Sequence, residues 1–79
     1  MIADTIREAL KAQPFRTFTM RTAGGREYRI DHPELAAVSP GGRVLVVFTS
    51  ADGAVTIDTL LIESMHFENG RENGRGRKR

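Results

Sequence analysis

The two histidines of this chain, His32 and His66, are its first candidates for metal binding or acid–base chemistry. His32 lies in the segment Asp31-His32-Pro33-Glu34, where two carboxylates and an imidazole are close together in the sequence. Zinc sites in proteins use ligands at recognised spacings, and this segment matches none of them. A polar turn, in which Asp31 hydrogen bonds to nearby backbone, explains the segment without a ligand. We therefore predict neither a metal site nor a bound cofactor.

Nucleophilic catalysis and phosphate binding lack the sequence patterns that they require. Ser39, Ser50 and Ser64 do not lie in a nucleophile-elbow pattern, and the chain has no cysteine. Neither Gly24-Gly25 nor Gly41-Gly42 is followed by the Lys-Ser/Thr pair and helix of a phosphate-binding loop. Hairpin turns explain both glycine pairs, because glycine accepts a positive φ.

Asp58 and Glu63 are the acids of most interest, because they flank an apolar run. A hydrogen bond between the Asp58 carboxylate and the backbone of a turn is a simpler role than acid–base catalysis. We therefore predict that the protein is not an enzyme, and we identify no small-molecule substrate.

Most of the excess positive charge lies in residues 69–79. This segment holds five of the twelve Lys and Arg residues and one of the ten Asp and Glu residues, for a net charge of +4. The remaining chain has seven basic and nine acidic residues and is therefore −2. A mildly acidic globule with a basic tail leaves the tail available to bind polyanions.

Nucleic acid, RNA in preference to DNA, is the polyanion that we expect the tail to bind. Arg21 and Arg29 are predicted to lie on the outer face of the first hairpin, but Glu27 shares that face. Alternatively, the tail is a disordered, solubilising segment, because its glycines and charges offer no apolar face to bury. The candidate nucleic-acid-binding residues are Arg71, Arg75, Arg77, Lys78, Arg79, Arg21 and Arg29.

One short helix is predicted near the N-terminus. Thr5-Ile6-Arg7-Glu8 has the form of a capping box, and Asp4 is the alternative cap. Pro14 disfavours helical geometry at the residue before it and ends the element. The side chains expected on the solvated face of this helix are Arg7, Glu8 and Lys11.

After Phe15 the apolar residues alternate with polar ones, which is typical of strands. Two alternating runs around Gly24-Gly25 predict a hairpin, and tight turns separate the runs that follow. Consecutive apolar residues at Leu60-Leu61-Ile62 break the alternation of the last run and predict a bulge or bend. The later strands are expected at Leu35–Val38, Val44–Phe48, Val55–Asp58 and Thr59–Phe67.

The run from Val44 to Phe48 is apolar on both faces. Strands with one solvated face alternate, so we expect this strand to be covered on both sides. The helix covers one face in this interpretation, and the curled sheet or another subunit covers the other. We therefore predict a homo-oligomer whose interface residues are Val44, Leu45, Val46, Val47 and Phe48.

These elements predict an α+β fold that is mostly β. A short N-terminal helix precedes five or six antiparallel strands, which form a strongly bent sheet or a small half-open barrel. Residues 1–68 are expected to form one domain, with residues 69–79 as a disordered tail. No signal peptide is recognisable and no apolar run approaches the ~20 residues that span a bilayer. We therefore expect a cytoplasmic protein without membrane contact.

Four blocks of the sequence are distinctive when taken together: Ala12–Thr19, Asp31–Leu35, Ala37–Arg43, and Ile57-Asp58 followed by Leu60-Leu61-Ile62. They resemble a group of short, uncharacterised bacterial proteins that are abundant in planctomycetes and some proteobacteria. The resemblance covers roughly residues 5–68 and implies a bacterial cytoplasmic protein, but the group brings no established activity. In order of elements the chain is also similar to Sm-like proteins of the Hfq type, which implies a small barrel of Sm or SH3 type and assembly through strand edges. No residues match the uridine-binding site of that family.

Two functional hypotheses follow. The favoured one is a small, non-enzymatic regulatory module that oligomerises and binds RNA or DNA weakly and without base specificity. The alternative is a protein-interaction or structural module whose tail only aids solubility. The two differ in whether the arginines of the globule form one positive face.

Overall fold

The computed structural model describes residues 2–68, which form one α-helix and six strands in two three-stranded antiparallel sheets. The predicted α+β, mostly β class is confirmed, and the two sheets formed by residues 2–68 do not close into a barrel. Single turns of 3₁₀-helix precede β3 and β6, at Pro33–Leu35 and Thr59–Leu61. The elements are α1 (Ile2–Lys11), β1 (Phe18–Thr22), β2 (Glu27–Ile30), β3 (Ala36–Val38), β4 (Val44–Phe48), β5 (Ala54–Asp58) and β6 (Ile62–Phe67).

Helix α1 begins at Ile2, so the predicted start at a Thr5 or Asp4 cap is wrong. Ala3 is buried, and packing of this first turn against the rest of the chain extends the helix beyond its local capping signal. Asp4 instead lies in the first turn, where a carboxylate stabilises the positive end of the helix dipole. The helix ends at Lys11, as Pro14 predicts. No helix within residues 2–68 has the length and apolar character to cross a membrane.

The hydrophobic core lies between the two sheets and α1. Ile6 of the helix, Phe18 and Met20 of β1, Ile30 of β2 and Leu45 of β4 are fully buried. Burying one such side chain contributes roughly 1.5–3 kcal/mol relative to leaving it exposed. The alternation of apolar residues in the sequence therefore identifies the inward faces of β1 and β2 correctly.

The first sheet has the strand order β2-β1-β6 and the second has the order β3-β4-β5. Of the bulge or bend predicted at Leu60-Leu61-Ile62, the bend is confirmed: Thr59–Leu61 is a 3₁₀ turn that carries the chain from β5 in one sheet to β6 in the other. A bulge lies slightly later, where Arg21 pairs with Ser64 and Thr22 pairs with Ile62. This bulge leaves Glu63 without a partner residue on β1.

The two glycine pairs occupy turns, as predicted. Gly25 has a φ of 89° in the β1–β2 turn, and Gly42 has a φ of 80° in the β3–β4 turn. At Gly42 an added Cβ would also lie 3.3 Å from the Ala3 Cβ. The β3–β4 turn therefore approaches the helix so closely that glycine is needed for both conformation and space.

Candidate interaction surfaces

The five apolar residues of β4 point alternately to the solvent and to the core. Leu45 and Val47 point inward and are 0% and 3% exposed. Val44 and Phe48 point outward and are 40% and 46% exposed, and Val46 between them is half-buried. Among residues 2–68 nothing covers the second side of the strand fully, so the strand is covered on one side only by this part of the chain. Of the five predicted interface residues, Val44, Val46 and Phe48 lie at the surface.

The strands beside β4 extend this apolar surface. On the same face, Val46 pairs with Ala37 of β3 and Thr56 of β5, and Phe48 pairs with Ala54. Exposed apolar patches that are continuous in this way are typical of protein–protein contacts. We call this surface the outer apolar face; it consists of Ala37, Val44, Val46, Phe48, Ala54 and Thr56.

Asp58 is the acidic residue of β5 at the end of the outer apolar face, opposite Val44. Its carboxylate lies 3.5 Å from Nη2 of Arg43 and accepts a hydrogen bond of 2.9 Å from the backbone N–H of Leu60. The predicted backbone hydrogen bond of Asp58 is therefore confirmed. The Arg43 cation offsets the carboxylate charge, so this end of the face has no net charge.

Arg21 and Arg29 lie on the solvent side of the first sheet, as predicted, and each lies near a carboxylate. Nε of Arg21 lies 4.0 Å from Oε1 of Glu63. Arg29 donates to Asp31 at 2.8 Å and donates through both terminal nitrogens to the carboxylate of Glu68. The hydrogen bond and charge of Asp31, with the charge of Glu68, raise the pKa of Arg29 above its ordinary value. The outer side of this sheet is therefore not a uniformly positive surface.

Asp31 was expected to hydrogen bond to backbone in a polar turn, and its carboxylate instead accepts from the Arg29 side chain. The two residues are separated by one position, so they lie on the same side of the extended chain. The pair brings the end of β2 close to Glu68, which follows β6. Sequence reasoning missed this cluster because nothing local to Glu68 indicates which strand lies beside it.

A second contact that the sequence did not indicate is made by Arg16. Its guanidinium lies 5.2 Å from the centre of the Phe67 ring, and Nε and Nη2 each donate to the backbone carbonyl of Glu68 at 3.3 Å. Phe67 in turn packs on Phe18, with ring centres 5.6 Å apart. A cation over an aromatic ring is a favourable arrangement. Arg16 is thus engaged with the end of β6.

Arg7 was expected on the solvated face of the helix, and this expectation is wrong. Its guanidinium donates to the backbone carbonyls of Ser39 at 2.8 Å and Pro40 at 3.0 Å, and it forms an ion pair with Asp4 at 3.1 Å. The β3–β4 turn brings these carbonyls beside the helix. Arg7 therefore joins two elements and is not a free surface cation.

His32, His66 and Ser39 lie on different elements of the fold. His32 precedes the first 3₁₀ turn, and His66 lies on β6 opposite Thr19; both are exposed. The Ser39 hydroxyl accepts a hydrogen bond from the backbone N–H of Val44 at 3.1 Å, which stabilises the β3–β4 turn. Within residues 2–68, no group of three or more His, Cys, Asp or Glu side chains is placed to hold a metal ion.

Two solvent-open cavities lie beside β2. The larger, of about 500 Å³, is lined on one side by residues 27–29 and on the other by Val47, Phe48 and the turn after β4. The smaller, of about 350 Å³, lies between the β1–β2 hairpin and β5. Tyr28 is half-buried and lines both cavities. In the part of the chain that the structure describes, the gap between the two sheets therefore lies along the edge of β2 that faces away from β1.

The five tail candidates for nucleic-acid binding, Arg71, Arg75, Arg77, Lys78 and Arg79, lie outside the described residues. The predicted disorder of residues 69–79 concerns the same segment. Comparison of the chain with protein-family models, with curated proteins and with solved structures gives no match in any of the three. The similarity to short bacterial proteins and to Sm-like proteins therefore stays a prediction.

Proposed function

We propose that this chain is a non-enzymatic protein-interaction module that associates with its own copies through the outer apolar face. The observation that carries the proposal is the exposure of Val44 and Phe48 on a strand whose other side forms the core. Covering such side chains removes apolar surface from water, which favours association. A cytoplasmic location is part of the proposal.

A second copy suits this face for electrostatic and geometric reasons. The face has the Asp58–Arg43 pair at its edge and otherwise consists of apolar side chains and Thr56. Two copies therefore bring no uncompensated like charges together. Sheets also stack face to face at about 10 Å, which suits side chains of the size of valine and phenylalanine.

Light scattering of the full chain at micromolar concentration tests the proposal. We expect a mass above that of one chain, and we expect Val46→Lys to reduce it because a buried unpaired charge is costly. Leu60→Lys is the matched control, since Leu60 is 68% exposed and lies in the 3₁₀ turn outside the face. A monomeric native protein, or equal masses for both variants, contradicts the proposal.

Nucleic-acid binding is a second candidate, supported by the net charge of +4 in residues 69–79. Because Arg21 and Arg29 are paired with carboxylates, we expect the tail to make the contacts with nucleic acid. RNA is the preferred ligand, as proposed from the sequence. The interaction would be weak, insensitive to base sequence and sensitive to salt.

A further inference from the structure

Strand β2 has a free edge. Among residues 2–68, β1 is its only hydrogen-bonded neighbour in the sheet. The free edge of a strand presents backbone N–H and C=O groups that can pair with another strand. Two solvent-open cavities lie along this edge, and their other walls are formed by the end of β4 with the turn after it and by β5.

The register of the β1–β2 hairpin shows which backbone groups point away from β1. The Thr22 N–H donates to the Arg26 carbonyl at 2.8 Å, which makes this opposed pair a hydrogen-bonded one. Hydrogen-bonded and non-hydrogen-bonded pairs alternate along an antiparallel ladder. Tyr28, opposite Met20, is therefore hydrogen bonded to β1, whereas the backbone groups of Glu27 and Arg29 point to the free edge.

We propose that this edge pairs with β2 of a second copy about a two-fold axis at Tyr28. An antiparallel pair centred on Tyr28 places Glu27 of each copy opposite Arg29 of the other. At each end of the junction, the backbone N–H and C=O of Glu27 in one copy then bond to the C=O and N–H of Arg29 in the other. The two ends together make four hydrogen bonds. This inference adds a second surface to the proposed self-association, on the other sheet.

The charges on this edge are self-complementary. Glu27 and Arg29 both point to the solvent side of the sheet, and Arg21 lies opposite Glu27 on β1. In the paired arrangement Glu27 lies between Arg21 of its own chain and Arg29 of the second copy. Opposite charges at directly opposed positions favour this register, and a shift by one residue would remove them. Arg29 carries five N–H donors, so it can retain Asp31 and Glu68 as partners.

The first test is a charge exchange in the full chain. In a dimer of the Glu27→Arg variant, two arginines face each other at both ends of the junction. In a dimer of the Arg29→Glu variant, two glutamates face each other there. The affinity of edge pairing should therefore fall about tenfold or more for each variant alone, whereas an equimolar mixture of the two should form mixed dimers. Native mass spectrometry distinguishes the mixed dimer by its mass. If the mixture shows no preference for mixed dimers over same-variant dimers, the proposed register is overturned.

The second test is a cross-link. Because the chain has no cysteine, Tyr28→Cys introduces a single thiol at the two-fold axis. Oxidised glutathione accepts the two electrons when two such thiols form a disulfide. In the proposed pairing, position 28 of one copy faces position 28 of the other as a non-hydrogen-bonded pair, which brings the two Cα atoms to about 4.5 Å, a distance that a disulfide can span. Thr19→Cys, on β1, is the control. We expect a covalent dimer with Tyr28→Cys and at least tenfold less with Thr19→Cys.

The outcomes separate this inference from the proposed function. If Val46→Lys lowers the mass but Tyr28→Cys does not cross-link preferentially, edge pairing is overturned and the outer apolar face remains the interface. If Tyr28→Cys cross-links preferentially but Val46→Lys leaves the mass unchanged, edge pairing is supported and the outer apolar face is contradicted. A monomeric native protein, together with a Tyr28→Cys variant that cross-links no more than Thr19→Cys, contradicts both.

Discussion

Arg7 of the helix donates a hydrogen bond through Nη2 to the backbone carbonyl of Ser39, at 2.8 Å and across 32 positions in the sequence. The same nitrogen donates to the carbonyl of Pro40 at 3.0 Å. The guanidinium thus joins the N-terminal helix to the β3–β4 turn, and its side chain is 33% exposed. This contact gives a surface arginine a structural role.

Replacement of Arg7 should therefore destabilise the fold. We expect Arg7→Leu to lower the free energy of unfolding by about 1–2 kcal/mol, because hydrogen bonds from a charged group are lost while the apolar stem is retained. Lys11→Leu, at the exposed end of the same helix, should change it by less than about 0.5 kcal/mol. Urea denaturation of both variants measures the difference. Equal midpoints would show that the Arg7 contacts add no stability.

The β3–β4 turn offers a test of backbone conformation. Gly42→Ala should lower the free energy of unfolding by about 1–2 kcal/mol, because alanine is strained at a φ of 80° and its Cβ would lie 3.3 Å from the Ala3 Cβ. At Gly41 an added Cβ would meet no atom within 4 Å, and the residue has no positive φ. Gly41→Ala should therefore cost less than about 0.5 kcal/mol. Thermal unfolding of the two variants makes the comparison, and a larger loss at Gly41 would contradict this geometry.

The two sides of β4 should respond differently to truncation. Leu45→Ala should lower the free energy of unfolding by about 2–5 kcal/mol, since Leu45 is 0% exposed and its truncation leaves a cavity in the core. Val44 lies on the outer side and is 40% exposed, so Val44→Ala should lower the free energy of unfolding of the dilute protein by less than about 1 kcal/mol. Denaturant titrations at low concentration measure folding without self-association. Similar losses at both positions would indicate that the outer side is also covered in the single chain.

The tail can be tested by its salt dependence. If about three tail charges contact phosphates, a chain ending at Glu68 should lose roughly 2 units of slope in log K against log salt, since each contact contributes about −0.7. Replacement of Arg75, Arg77, Lys78 and Arg79 by Gln should have the same effect. Arg21→Gln is the control and should change the slope little, because Arg21 lies near Glu63.

Titration of a labelled single-stranded oligonucleotide at two salt concentrations gives the measurement. Binding that persists unchanged in the shortened chain would place the contact on residues 1–68. Absence of binding by the full chain at low salt would remove the nucleic-acid hypothesis and leave the protein-interaction module.

Local sequence signals determined the order and type of the elements. Pro14 ends the helix at Lys11, and the glycine at position 25 supplies the positive φ of the first hairpin. Alternation at Phe18 and Met20 identified the buried side of β1. These features depend on backbone sterics and on side-chain period, which act over a few residues. The sequence therefore predicts them without any information on which strands are neighbours.

Only the tertiary structure decided which groups meet. The sequence shows that β4 is apolar on both sides, but the path of the chain determines that Leu45 enters the core while Phe48 stays 46% exposed. Likewise, Arg29 meets Glu68 because β2 and β6 flank the same strand, β1. Contacts between residues far apart in the sequence depend on how the sheets pack and where their edges remain open, and no local period or turn signal contains that information.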